Sequence, residues 1–318
     1  MFTEAQNLAV TRTELDTVFY QNFDYDSGFP GIATAQVAEI FKPLQTEHSA
    51  YIEQVFKGSG LFPVVGETQT VPLSTPAAAN KLTVYIKDFA QGIELSKNLF
   101  DDNLHNVWSR AVADLGMVAR VSQDQNAFAF WNNAFTTSLT ADGAALVASH
   151  TLLNGQTYSN LLATTDAGMS GTTTTALSDQ SLYAAIIKLR QQPNQAGVVL
   201  GNVPNILLVP SALFKLAVQL TDSALVAQSA ENAINVYRSA YGITVYTSPY
   251  LDATTGGSDT QWFLLSRNHS VTRLIRQGIQ TALRDWTYSN NRTYFYQANF
   301  RDTVYAPDYV GVVGATGL

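Results

Sequence analysis

The sequence has no cysteine in 318 residues, which rules out disulfide frameworks, thiolate metal sites and cysteine nucleophiles. It has no run of about 18 apolar residues, and its start, MFTEAQNLAV, lacks a basic patch followed by an apolar core. Such a chain is expected to be soluble, unexported and free of the membrane. Charge is scarce as well: 14% of residues are Asp, Glu, Lys or Arg, against 46% hydrophobic. Much of the surface must then be Thr, Ser, Asn, Gln and Ala, which suits a surface that becomes covered. A net charge of −7 without a basic stripe argues against a general nucleic-acid binder.

Catalytic patterns are equally sparse. His48, His105, His150 and His269 are scattered without metal-ligand spacing, and there is no His-Glu-x-x-His, no phosphate-binding Gly-x-x-x-x-Gly-Lys-Ser/Thr and no dinucleotide fingerprint. Asp24, Asp26 and Gly28 begin like a calcium loop, but Phe29 and Ala35 occupy its obligatory Gly and Glu positions. His150, with Ser149 beside it and Asp142 nearby, suggests a triad. No Gly-x-Ser-x-Gly elbow accompanies it, so a hydrogen-bonded structural histidine is expected. Trp108, Trp131, Trp262 and Trp286 are expected in the core or an interface.

What is present begins with uneven charge. Residues 1 to 60 carry eight acids against Arg12, Lys42 and Lys57, a net of −5. Residues 261 to 318 carry six Arg against Asp285, Asp302 and Asp308, a net of +3. The two ends are electrostatically complementary.

From Ser96 to Asn133, Leu104, Val107, Trp108, Ala111, Val112, Leu115, Val118 and Ala119 recur at spacings of three and four. With Ser96 as N-cap and Asp101 and Asp102 in the first turns, this predicts one helix of about 38 residues and about 57 Å. Such a rod acts as a spine. Before it, Leu82, Val84 and Ile86 alternate with polar residues, and Leu61 to Leu73 forms an extended run broken by Pro63, Gly66 and Pro72. Together they predict a long two-stranded hairpin with no third strand nearby, and isolated hairpins are marginal in water. It is expected to lean on another subunit.

Residues 1 to 47 read as an arm with short helices near 4 to 20 and 33 to 41. After the spine, residues 121 to 187 hold no Lys or Arg and four Asp, and 164 to 176 reads as linker. Ser178 should cap a helix carried by Leu182, Ala185, Ile186 and Leu189 and stopped by Pro193. Strands are expected at 206–209, 243–246, 262–265, 294–305 and 309–313, with a helix after Pro210 and loops at 194–204 and 252–259.

This order of parts resembles the major capsid protein of tailed bacteriophages, whose fold is shared with herpesvirus capsids. DGAALVASHTLLNG at 142–155, with Ser159 and Asn160, is similar to the Mu-like major head subunit branch. ILLVPSALFKLA at 206–217, YGITVYTSPYL at 241–251 and FRDTVYAPDYVGVVG at 300–314 extend the resemblance over about half the chain. It implies an α+β fold divided into an N-terminal arm (1–47), an extended loop (48–95), a peripheral domain with the spine helix (96–177), an axial α/β domain (178–289) and C-terminal strands returning to the peripheral domain (290–318).

The implied function is a head subunit that self-assembles through hexamers and pentamers into an icosahedral shell around double-stranded DNA, in the virion, after assembly in the host cytoplasm. No enzyme activity, cofactor or metal is implied. Val71, Leu82, Val84, Ile86, Arg273, Arg276, Arg284 and Arg301 are the expected inter-subunit contacts, the arginines meeting acids of another copy's first 60 residues. Asn194, Gly197, Gly201 and Asn202 are expected at the capsomer centre. Some relatives carry a scaffolding region of about a hundred residues before the arm. Only 47 precede the hairpin here, so a separate scaffolding protein is expected, together with a portal, with decoration proteins as an optional addition. Lys57 and Lys81 match no crosslinking pattern. Alternatives are an encapsulin-like shell around a cargo enzyme, a soluble hydrolase using Ser149 and His150, and a thread-like surface or tail protein.

Overall fold

The computed structural model describes residues 4–24, 38–73, 78–98, 107–137, 139–169, 171, 173–223, 235–285, 287 and 291–318. The DYDSGFPG stretch beyond Asp24, the helix expected near 33–41 (up to residue 37), Trp286 and the first turns of the expected spine helix lie outside them.

The spine is helix α2, Val107–Asn132, which follows helix α1, Glu4–Phe23. At about 1.5 Å per residue α2 spans about 39 Å. Its two halves serve different cores. Trp108, Val112, Leu115 and Ala119 pack on Leu15, Phe19 and Phe23 of α1 and on Tyr294 and Tyr296, while Ala127, Phe128 and Trp131 pack on Ile206, Leu208, Phe263 and Leu265. Gly116 permits the α1 crossing, because a Cβ there would lie 2.5 Å from the Phe19 carbonyl oxygen. Ser96 does not cap this helix. It is the last residue of a strand opposite Thr293, where ladder bonds and the apolar alternation of Ile93 and Leu95 outweigh its capping chemistry.

The strands are β1 (Lys42–Gln45), β2 (Ala50–Phe56), β3 (Ala78–Tyr85), β4 (Lys87–Ser96), β5 (Ser149–Thr151), β6 (Thr157–Ser159), β7 (Pro204–Val209), β8 (Thr244–Thr247), β9 (Trp262–Ser266), β10 (Thr272–Arg284), β11 (Thr293–Tyr305) and β12 (Val312–Ala315). They form two four-stranded sheets, β1-β10-β11-β4 and β12-β9-β7-β8, and two pairs, β2-β3 and β5-β6. In the second sheet β12, β9 and β7 are buried on both faces and are accordingly near-continuous apolar runs, while β8 is a half-exposed edge. Ile206, Leu208, Phe263 and Leu265 face α2; Leu207, Val209, Trp262 and Leu264 face helix α3, Asp179–Arg190, and helix α4, Phe214–Thr221. Helix α3 starts where expected: the Ser181 N–H donates to the Ser178 hydroxyl, and the Ser178 N–H donates back to the Ser181 hydroxyl at 2.8 Å. That is a reciprocal cap.

Two strands sit differently from the sequence expectation. β10 lies within the span expected as axial, yet pairs with β1 and β11. β12 lies within the span expected to return to the peripheral domain, yet pairs with β9. The chain therefore crosses between the sheets after Ser266 and back again after Tyr305.

Candidate inter-subunit surface

The hairpin forms from different strands than expected. β3 pairs with β2, from Ala50 opposite Tyr85 to Phe56 opposite Ala78, not with residues 61–73. The longer apolar run loses because Pro63 and Pro72 carry no N–H to donate to a ladder. Beyond Phe56 the described chain runs without strand pairing to a turn at Gly66–Gln69, where the Gln69 N–H donates to the Gly66 carbonyl at 3.1 Å. Six strand steps from Ala50 put the base of this finger about 20 Å from the hairpin's root. Phe62 is 96% exposed, Val64 100% and Leu73 94%, with Leu61 and Val71 exposed beside them.

The root, in contrast, rests on its own chain. Val84 is buried against Leu274 and Tyr305, with Tyr51, Leu82 and Ile86 packed around them. Of the expected inter-subunit contacts, Val71 stands free, whereas Leu82, Val84 and Ile86 anchor the finger to its own body. The arginines divide similarly. Arg273 is buried in a two-nitrogen pair with Asp302, its Nε 2.9 Å from Oδ2, and so is enclosed by its own chain. Arg301 pairs with Asp88. Arg276 is half-buried and Arg284 exposed.

Acids of the first 60 residues meet tyrosines of their own chain. Asp16 accepts from the Tyr296 hydroxyl at 2.7 Å and the Thr281 hydroxyl at 2.8 Å, and Glu39 accepts from the Tyr246 hydroxyl at 2.5 Å. Glu53 bonds Tyr305. Burial first, and then the partner carboxylates, push the tyrosines up, Tyr246 to about 12. No local sequence signal marks these pairs, whose partners lie more than 200 residues apart.

The expected capsomer-centre loop is also tied inward. Asn202 is buried and donates to the Gln192 side-chain oxygen at 3.1 Å; Asn194 accepts from the N–H groups of Ala196 and Val198. Gly197, at φ +87°, lies against Asn154, so that a Cβ would come within 2.2 Å of its amide nitrogen. Gly201, at φ +63°, is exposed. This loop enters β7 at Pro204, opposite Ser266, at the end of the sheet from which β9 leads into β10. The loops at the other end follow Val209 and Thr247 and precede Trp262.

His150 is a structural residue. Its Nδ1 lies 2.8 Å from Asp142 Oδ2, its Nε2 3.3 Å from the Leu146 carbonyl, and its ring stacks on Tyr309 at 4.5 Å. Burial raises the Asp142 carboxyl, but bonds from His150, the Thr140 hydroxyl and the Ala144 N–H outweigh it and hold it at about 2. Ser149 lies exposed on the opposite face of β5, so the imidazole cannot serve it as a base. Asn160, from the same motif, is buried, accepts from the Ala148 N–H and donates to the Leu146 and Val312 carbonyls. Gln192, which sequence reasoning passed over, donates to the Tyr309 and Val312 carbonyls and accepts from Gly311 and Asn202. Among the described residues no cluster of His, Asp and Glu could hold a metal ion.

An α+β body whose exposed apolar finger finds no partner on its own sheets is a subunit built for assembly, and the family comparison agrees: the model described as phage capsid protein matches residues 79–315. The chain belongs to the phage capsid protein family. This capsid protein is thus a structural component of a virion rather than an enzyme. Its fold is similar to that of a protein of Microbacterium phage Oxtober96 (14% identity, 92% of this chain and 94% of that one, TM-score 0.55). It is likewise similar to the mature capsid of bacteriophage PhiM1 (12%, 93% and 90%, 0.56) and to a virus-like particle from Pyrococcus furiosus (6%, 95% and 98%, 0.54). No curated protein sequence matches the capsid protein.

Proposed function

We propose that this capsid protein forms hexamers and pentamers that close into an icosahedral head around double-stranded DNA, with separate scaffolding, portal and decoration proteins as partners. The observation that carries the reading is the finger: Leu61, Phe62, Val64, Val71 and Leu73 stand bare at the end of a two-stranded ribbon. A patch of this kind on a chain otherwise well packed is an association site. Many copies of such a contact sum by avidity, so each need only be weak.

The arm (1–47), extended loop (48–95), peripheral (96–177), axial (178–289) and C-terminal (290–318) divisions remain our reading of the family plan, with β10 exchanged for β12 between the two sheets. The in-chain bonds of Asn194 and Asn202 favour the opposite end of the second sheet, near 252–260, as the part closest to the capsomer axis. Arg276 and Arg284 are the remaining candidates for pairing with another copy's acids. The stretch 142–160 supports the Mu-like branch.

Expression of the chain with and without its neighbouring gene products, followed by negative-stain microscopy, tests the proposal. Closed shells containing nuclease-protected DNA are expected. A persistent monomer would overturn it, and shells filled with protein would favour the nanocompartment alternative.

A further inference from the structure

Helix α2 carries a second stripe that its own chain leaves bare. Trp108, Val112, Leu115 and Ala119 are buried against α1 and the first sheet. On the opposite side Val107 is 41% exposed, Met117 51% and Val121 38%, with Arg110 and Asp114 exposed between them. At about 3.6 residues per turn these five share one face, which runs about 21 Å along the helix. Their steps of three, four, three and four residues repeat the period of a coiled-coil seam. Among the described residues neither the Arg110 nor the Asp114 side chain has a partner in the chain.

We infer that two copies of this chain pair along this seam, antiparallel, about a two-fold axis level with Val112. The inference rests on the shell reading above and adds to the finger a second contact between copies.

The pattern of charge selects both the occupant and the register. A two-fold contact presents the same patch from both sides, so the patch must complement itself. With the axis at Val112, Arg110 faces the partner's Asp114 and Val107 faces the partner's Met117. Symmetry repeats each pair, so two ion pairs lie between two apolar layers. Other registers fail. Sliding one helix by a heptad sets Arg110 against the partner's Val121 and Asp114 against the partner's Met117; sliding it the other way sets Arg110 against the partner's Val107. Parallel pairing sets Arg110 against the partner's Arg110 and Asp114 against the partner's Asp114. Polar residues within an apolar seam fix register in this way at some cost in affinity. A single pair is therefore weak, and a shell that repeats it gains by avidity.

The absence of native cysteine makes the test clean. In the full chain, Val107→Cys combined with Met117→Cys should give, on oxidation of assembled particles, a covalent dimer that reduction abolishes, because side chains of one layer lie within disulfide reach. The two positions lie about 15 Å apart along one helix, so neither cysteine alone should link two copies. Arg110→Asp or Asp114→Arg alone sets like charges across the axis and should lower particle yield at least tenfold. Both changes together restore the opposite pairing and should restore the yield. Urea midpoints of all three charge variants should match the parent, since the seam adds nothing to the fold of one copy. A covalent ladder beyond the dimer would overturn the two-fold. Shells that form normally from both single charge variants, with no dimer from the double-cysteine chain, would overturn the pairing and leave the shell reading standing. A parent chain that never assembles would overturn both.

Discussion

The root and the tip of the hairpin are one ribbon with opposite surroundings. At the root, Val84 is buried against Leu274 and Tyr305, and the Tyr51 and Tyr305 rings lie 5.9 Å apart. At the tip, Val64 touches nothing and Phe62 almost nothing. Apolar residues occur at both ends, so composition does not separate them. What does is whether the chain's own sheet lies within reach, and the ladder's end at Phe56 marks the limit. Folding free energy accumulates in the root, and the tip's apolar area is still available for association.

The sharpest way to break this comparison is to charge the tip. Phe62→Asp with Val64→Asp should abolish assembly while moving unfolding free energy by about 0.5 kcal/mol or less, because exposed residues contribute little to it. Electron microscopy and urea unfolding of the same preparation read the two effects. Loss of both together would mean the tip supports its own fold. The converse change at the root, Leu274→Ala, empties a fully buried site and should cost about 2 to 5 kcal/mol in urea unfolding. An unchanged midpoint would show that the root is not packed as described.

A third test uses pH at the joint where the arm meets both sheets. His269 donates from Nε2 to the Glu39 carbonyl at 2.8 Å, its Nδ1 is buried without a partner, and the Lys42 ammonium bonds its carbonyl. Burial, with Lys42 adding to it and the Glu39 bond opposing, depresses the imidazole to about 4. The folded state thus prefers neutral His269. Its contribution is complete above the unfolded value near 6.5 and is lost as pH falls, by about 3 kcal/mol near pH 4. Urea midpoints from pH 7 to 4.5 should fall, and His269→Asn should flatten that fall. An identical pH profile in the variant would remove His269 as its source.

Legibility in the sequence followed where each element's partners lie. The helix begun by Ser178 and stopped before Pro193 carries its own signals, and ILLV at 206–209 and WFLL at 262–265 read as strands because both faces are buried. β10 did not show: TRLIRQGIQTALR keeps one face polar and shifts register between Ile275, Gln277 and Gln280, which breaks the alternation. The 61–73 run is longer than 50–56 but poorer in apolar residues, and the missing donors of Pro63 and Pro72 keep it out of the ladder. The finger was legible as unsupported; that its root is held by Leu274 and Tyr305 required contacts about 190 residues away or more.

The smallest expected effect comes from the bonds that hold the arm. Tyr296→Phe removes the hydroxyl that donates to Asp16 but leaves the ring in its core with Phe19 and Trp108. Asp16 keeps the Thr281 hydroxyl and is partly open to water, its side chain 26% exposed, so it is not stranded. The loss should therefore be about 1 kcal/mol, below the range for a charged group left buried and unpaired. Assembly should be unaffected, since the tip is untouched. If this substitution blocked shell formation while costing no more than that in urea, the docked arm, and not the finger alone, would be part of the contact between copies.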